Sequence, residues 1–198
     1  MAEELKFKKT TWQKIKDFIF FPLRVFFNHE TVKKLGLTSF QEERFNVCLP
    51  YVRGRVLDIG CGQGNKFIKM IGGGVGLDPH SWPGVDVVAP AEKLPFEDKT
   101  FDVVTLMVTI SYVKDRDRAL GEIRRVLKDD GCLLISESPP VFDMIRRALI
   151  WWNPYQRMPK SMDLTGKNML KLIEKNDLKL VKIVRYIYGL SRLYVISK

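Results

Sequence analysis

Residues 56–65 read VLDIGCGQGN: an apolar run carrying Asp58 is followed by glycines at alternate positions, Gly60, Gly62 and Gly64. Such glycines let the backbone turn sharply out of a strand into a helix, and let it approach another molecule closely while it does so. The flanking sequence keeps the same alternation. GRVLDI suits a buried parallel strand, NKFIKMI a helix that stops at Gly72–Gly74, and VGLD a second strand. FDVVTLMV gives a further strand, DRDRALGEIRRVLK an amphipathic helix with Leu120, Ile123 and Leu127 on one face, and CLLISE the strand after it. This rhythm predicts an α/β fold, a mostly parallel sheet with helices on both faces. The link DPHSWPG is too short for a helix, so the third strand reduces to an extended edge segment near Val85–Val88. LKLVKIVRYIY and SRLYVISK, separated by Gly189 and Leu190, predict an antiparallel hairpin on the sheet edge.

A chain of 198 residues, 45% hydrophobic and 28% charged, has the length and apolar content of one domain with decorations. Its three cysteines, Cys48, Cys61 and Cys132, are widely spaced and accompanied by only two histidines, which argues against a disulfide framework and against a metal site. A reducing, cytoplasmic compartment follows. The N-terminal run FIFFPLRVFF is interrupted by Arg24, lacks a small-residue cleavage site after it and is too short to span a bilayer.

The net charge of +10 is concentrated at the two ends. Residues 1–34 carry eight Lys/Arg against four Asp/Glu and residues 139–198 carry 12 against four, whereas residues 35–138 carry 13 against 15. Basic flanks around a neutral middle suit a surface that meets something anionic, either nucleic acid or lipid headgroups, or serve solubility alone.

The glycine turn implies a nucleotide-like ligand. Asp78 ends the second strand 18 residues beyond Gly60, where an acidic side chain takes the ribose hydroxyls of a bound nucleoside. The dinucleotide fingerprint is incomplete, since position 65 carries Asn65 where a third spaced glycine belongs.

Taken together, LDIGCGQG, GLD, AEKLPFEDKTFDVV and EIRRVLKDDGCLLISE resemble, in order and spacing from Val56 to Glu137, the class I S-adenosylmethionine-dependent methyltransferases, specifically the branch with the quinone-biosynthesis enzymes. The resemblance implies a Rossmann-like seven-stranded sheet, mostly parallel and completed by a C-terminal antiparallel hairpin, and S-adenosyl-L-methionine as cofactor. It further implies that Asp58, Gly60, Cys61, Gly62 and Gly64 cradle the methionine and ribose, that Asp78 with Pro79 holds the ribose diol, and that Ala91 and Glu92 lie against the adenine. Leu106 and Met107 would line the cofactor near its sulfonium. Pro90 departs from the family, which usually has an aspartate there.

Methyl transfer from a sulfonium asks the protein mainly to align the partners, exclude water and accept a proton where the nucleophile needs it. Candidate catalytic groups are His80, beside the ribose site, and Tyr112 in TISYVKD, where the family often carries histidine. His80 also reads as a turn histidine without a catalytic task, and Tyr112 as a packed core tyrosine. The motif of base-flipping amine methyltransferases is missing after the fourth strand, and WNPY at 152–155 follows the fifth strand instead.

The remaining segments carry the substrate information. WQKIKDFIFFPLRVFFNHETVKKLGL has a wide apolar arc with Pro22 as a kink or a helix start, and PPVFDMIRRALIWWNPYQRMPKSMDL follows the fifth strand. Both mix aromatics with basic residues, which leaves three readings: a lid over a hydrophobic substrate, a peripheral anchor on an anionic membrane, or a packed cap. The chain divides into an N-terminal amphipathic helical cap at 1–50, a cofactor-binding core at 51–138, an inserted substrate cap at 139–170 and the hairpin at 171–198. The function expected is methyl transfer to oxygen or carbon of a hydrophobic or lipid-like small molecule. RNA or protein methylation through the basic flanks, and a non-catalytic cofactor-binding protein, are the alternatives.

Overall fold

The computed structural model describes residues 9–137 and 166–198. Of the substrate cap expected at 139–170, residues 139–165, with Ile150, Trp151, Trp152 and the WNPY stretch, lie outside the described residues, and 166–170 open a helix that runs on past the expected boundary.

The described strands are β1 (Val56–Ile59), β2 (Val75–Asp78), β3 (Val87–Val88), β4 (Phe101–Met107), β5 (Leu127–Glu137), β6 (Lys179–Tyr186) and β7 (Ser191–Ser197). They form one seven-stranded sheet in the order β3-β2-β1-β4-β5-β7-β6. The pairings from β3 through β5 are parallel, and β7 pairs antiparallel with both β5 and β6. The hairpin thus does not simply extend the edge: its second strand inserts beside β5, and β6 forms the border. All strands but β7 point their carboxyl ends to the same edge of the sheet.

Strand alternation explains why both faces are covered. Leu57, Ile59, Leu106, Leu133, Ile135 and Tyr194 share one core with α6 (Arg116–Val126) and with a later helix, α7 (Gly166–Lys175), which contributes Met169 and Ile173. Val56, Val103, Leu134 and Leu193 pack on the other face under α4 (Phe40–Cys48) and α5 (Lys66–Ile71). The helix α5 stops where expected, with Gly72 in the left-handed conformation as its cap. One boundary moves: Leu127, expected on the helix, is the first residue of β5. It pairs with Phe101, after which the register shifts so that Val103 meets Cys132, and KDDG bulges between them.

Three short helices precede α4: α1 (Thr11–Ile19), α2 (Phe21–Phe26) and α3 (His29–Lys34). Pro22 sits in the first turn of α2, where its missing N–H costs nothing, so it starts a second helix and does not kink the first. Ser39 and Glu42 close a capping box at the start of α4. The packing of α1 and α2 is inverted. Asp17 and Arg24 are at most 2% exposed, whereas Trp12, Phe18, Ile19 and Phe26 are 60–72% exposed. Asp17 accepts from Lys9 Nζ (2.5 Å), Gln13 Nε2 (2.9 Å) and the Thr38 N–H (2.9 Å), and Arg24 pairs with Glu43 and donates to the Thr38 carbonyl (2.7 Å). Charge is what α1 and α2 bury, and the aromatic face stands outward, unlike a packed cap.

Candidate active site

Because β1, β2 and β4 are parallel neighbours, their carboxyl ends bring the glycine turn, Asp78 and the segment after Met107 to one edge, the place where sheets of this kind bind ligands. Gly60, Gly62 and Gly64 all have positive φ (75°, 63° and 84°). The turn is tied down by the protein's own acceptors. The Gly60 and Cys61 N–H groups donate to the Leu77 carbonyl (2.7 and 3.1 Å), Gly62 N–H to Asp78 Oδ2 (3.0 Å) and Gly64 N–H to the Pro83 carbonyl (2.8 Å). The glycines have different tasks. A Cβ on Gly60 would overlap the Thr109 side chain, so this glycine makes room for the segment after β4, while a Cβ on Gly62 would meet nothing within 4 Å and faces open space.

Asn65 resolves the incomplete fingerprint. Its φ of 46° is left-handed, a conformation that asparagine tolerates better than other side chains, and its Nδ2 donates to Asp86 Oδ2 (2.7 Å), which also accepts the Gly76 N–H (2.7 Å). Its side chain fills the space left by Gly76 on β2. Position 65 needs a left-handed residue, and here that residue also cross-links turn, strand and the link to β3.

Two buried carboxylates stand beneath the turn. Asp58 lies opposite Thr105 in register and accepts its hydroxyl at 2.5 Å. Burial pushes the Asp58 carboxyl up to about 7, the Thr105 hydrogen bond opposes this, and the nearby Asp78 carboxylate adds to it. Asp78 accepts from Gly62 N–H through Oδ2 and from His80 N–H through Oδ1 (3.0 Å), with His80 Nδ1 at 3.4 Å. Burial and the same carboxylates push the Cys61 thiol up to about 12, so it remains a neutral small residue and no nucleophile. The donor set suits a cation that also presents hydroxyls. The open face of Gly62 and the two carboxylates therefore fit S-adenosylmethionine, whose sulfonium and ammonium are positive and whose ribose is a diol.

The other expected site residues divide. Met107 is half-buried at the end of β4, but Leu106 and Ala91 turn their side chains into the core, leaving only backbone for a ligand. Glu92 Oε1 accepts the Lys114 and Asp115 N–H groups (3.2 and 3.3 Å), tying its loop to the start of α6. Pro79 and His80 are exposed, and Tyr112, in the turn Ile110–Tyr112 after β4, is 57% exposed and so not a core tyrosine.

The sequence reading missed two features. Val108 has a φ of 61°, strained for a β-branched residue, and this kink aims Thr109 at Gly60. On the same face of the sheet as Met107, the buried Tyr186 hydroxyl lies between Arg44 and Ser136, and Ser191 Oγ beside them has no hydrogen-bond partner among the described residues. Polar residues ending three neighbouring strands were the available signal.

A cavity of about 500 Å³ opens at the opposite end of β1, lined by Arg53, Gly54, Arg55 and Gly72–Gly74 among others; it shares no residue with the turn. Among the described residues no group of His, Cys, Asp or Glu is placed to hold a metal ion, and no helix is long and apolar enough to cross a membrane.

Comparison with known proteins agrees with this geometry. Residues 57–135 match the methyltransferase domain family. The ubiquinone/menaquinone biosynthesis C-methyltransferase UbiE of Vibrio vulnificus is 34% identical over 137 aligned positions, covering 58% of this chain and 52% of that protein. The chain thus spans about half the length of the curated relative it matches. Among solved structures, a methyltransferase of Thermotoga maritima described as a possible histamine N-methyltransferase superposes with a TM-score of 0.61 at 21% identity, covering 79% of this chain and 87% of that one. A methyltransferase of Aquifex aeolicus does so with 0.60 at 19%, covering 87% and 100%. These two likenesses show the fold. Residues 57–135 thus resemble a methyltransferase domain, and the sheet that carries them has the fold of solved S-adenosylmethionine-dependent methyltransferases.

Proposed function

We propose that this chain transfers a methyl group from S-adenosylmethionine to carbon or oxygen of a hydrophobic, quinone-like small molecule. The observation that carries the reading is the pair of buried carboxylates, Asp58 and Asp78, beneath an open glycine face at the carboxyl edge. The name of the Vibrio vulnificus relative directs it toward quinones and toward carbon.

The bound cofactor supplies an activated methyl on a positive sulfur. The chain's own residues do the rest. Asp58 and Asp78 hold the positive and hydroxyl groups, Gly62 admits the ligand's backbone approach, and the Thr109–Gly60 contact fixes the segment after β4 against the turn. Ser136, Tyr186 and Ser191 offer hydroxyls to the oxygens of an acceptor arriving beside Met107. Tyr112 and His80 border the opening. Catalysis here rests on alignment and exclusion of water, for which one strong base is not required. An acceptor of this kind partitions into lipid, so peripheral contact with an anionic membrane belongs to the same reading.

The test is transfer of an isotopically labelled methyl from the cofactor to a panel of demethylated quinols, bulk RNA and protein, with products separated by phase and identified by mass spectrometry. Label in the organic phase is expected. Label confined to RNA or protein, or cofactor binding with no transfer to any of the three, would overturn the reading.

A further inference from the structure

The inverted packing of α1 and α2 asks what covers their outward face. At 3.6 residues per turn, Trp12, Ile15, Phe18 and Ile19 form one stripe over roughly a third of the helix circumference, and all four are exposed. Phe26 and Phe27 extend the exposed apolar surface beyond α2. Lys14 lies exposed on one border of the stripe, and Lys16 on the other, its Nζ also donating to the Leu35 and Gly36 carbonyls (3.3 and 3.2 Å). Between Thr11 and Phe27 the single acidic side chain is Asp17, and it is buried beneath, paired with Lys9. The outer surface therefore combines aromatic and aliphatic groups with positive charge and presents no carboxylate.

Its position is also defined. Phe18 and Phe21 pack on Tyr188 (ring centroids 5.3 and 5.9 Å), and Tyr188 Oη donates to the Lys14 carbonyl (3.3 Å). Tyr188 lies in the turn between β6 and β7, at the carboxyl end of β6 and so at the edge that carries the glycine turn. The exposed stripe is thereby fixed on the side from which an acceptor arrives.

We infer that the outward face of α1 and α2 seats on the surface of an anionic lipid bilayer, with the carboxyl edge of the sheet turned toward the lipid. Apolar side chains enter the acyl boundary and the bordering lysines meet headgroup phosphates. A second copy fits less well, since two-fold pairing would set the same lysine-bordered stripe against itself with no acid to answer it. The surface stands on its own geometry; its use, uptake of a membrane-dissolved acceptor, rests on the function proposed above.

Co-sedimentation of the full chain with vesicles of phosphatidylcholine alone and of phosphatidylcholine with phosphatidylglycerol tests this. Binding to the anionic vesicles is expected, weakening with salt. The combined variant Trp12→Ser, Ile19→Ser, Phe26→Ser should lose roughly tenfold or more in affinity, and Lys14→Glu should lose less. These side chains face outward, so an unchanged circular dichroism spectrum and melting temperature should accompany the loss. Equal recovery in the supernatant with and without vesicles overturns the inference, as does a chain dimer that the Ser variant dissolves while vesicle binding is absent. Methyl transfer to a detergent-dispersed quinol is measured alongside. Transfer without vesicle binding refutes the surface and leaves the function standing, whereas vesicle binding without transfer does the reverse.

Discussion

Two aspartates closed to solvent, Asp17 in α1 and the more deeply set Asp58 in β1, are treated in opposite ways. Burial pushes the Asp17 carboxyl up, but the Lys9 ammonium and the Thr38 N–H and hydroxyl together outweigh it and hold the group below the usual carboxylate range. Asp58 has Thr105 and a neighbouring carboxylate in place of a cation, and is held near 7. The N-terminal region thus completes its charges internally. The turn region gives Asp58 no cation of its own, and the proposed function assigns that part to the cofactor.

The largest expected effect is on the completed side. Asp17→Ala would leave Lys9 to Glu43 alone and take the acceptor from Gln13 Nε2 and the buried Thr38 N–H, and should destabilise the N-terminal helices by roughly 3–5 kcal/mol. Denaturant unfolding, with hydrogen exchange across residues 11–48, checks it. The wild-type contribution of Asp17 is present above the unfolded-state carboxylate pKa and is lost as pH falls through its lower folded value. A loss below about 1 kcal/mol would mean that these helices do not depend on the ion pairs.

Asp58→Asn should act in the opposite direction. With the folded pKa about 7, raised above the ordinary carboxylate value of 3.8, the penalty for ionising Asp58 is absent in acid. It grows as pH rises to about 7 and is constant beyond, reaching on the order of 4 kcal/mol. The variant should therefore melt higher than wild type at pH 8 and the same at pH 4, while binding S-adenosylmethionine more weakly. For wild type, a positive ligand favours the ionised carboxylate. Affinity should rise with pH up to about 7 and then level, with proton release seen as buffer-dependent heats in titration calorimetry. Affinity independent of pH between 5.5 and 8, within roughly a factor of two, would remove Asp58 from the ligand's surroundings.

That contrast was half legible in the sequence. The βαβ rhythm and the glycine spacing are local patterns, and β1, α5 and β2 fell where periodicity put them. Asp78 was legible at the end of its strand and Asp58 through the family resemblance, and both carboxylates lie beneath the turn. The burial of Asp17 was not, since an apolar arc on a helix reads as an inward face, and only Lys9, Arg24 and Glu43, distant in sequence, make the polar face the inward one. Leu106 was misjudged for a related reason. Adjacent residues on a strand point to opposite sides, so Leu106 and Met107 cannot both face the cofactor. Asn65 looked like a defect because a fingerprint records residue names, whereas the position demands a backbone conformation.

Within the turn, the two glycines test whether its shape or its openness matters more. Gly60→Ala places a Cβ against Thr109 at a positive φ and should cost roughly 2–3 kcal/mol of stability, part of it recovered by Thr109→Ala. Gly62→Ala meets no protein atom. It should cost roughly 1 kcal/mol in stability while weakening cofactor binding by more than that. Melting temperature and calorimetric affinity, measured on both variants, separate the two roles. Equal effects of Gly62→Ala on stability and on affinity would show that its open face is not the ligand's.

The smallest effects are expected at the two exposed polar side chains nearest the opening. The His80 ring has a long contact to Asp78 and lies 5.6 Å from the Trp82 ring, its firmer link being the backbone N–H that donates to the Asp78 carboxylate. A replacement by alanine keeps that N–H and with it the arrangement of Asp78. Tyr112 stands at the surface after β4, with no core to lose. If alignment in a closed site supplies most of the rate, His80→Ala and Tyr112→Phe should each lower kcat by less than the roughly 100-fold that accompanies removal of a true general base, with cofactor affinity nearly unchanged. The pH profile decides the remaining ambiguity. A kcat profile that changes shape in His80→Ala, together with a fall well beyond 100-fold, would make His80 the base. An unchanged profile leaves proton acceptance to solvent or to the acceptor's own ionisation, as an already acidic carbon or hydroxyl of a quinol would allow.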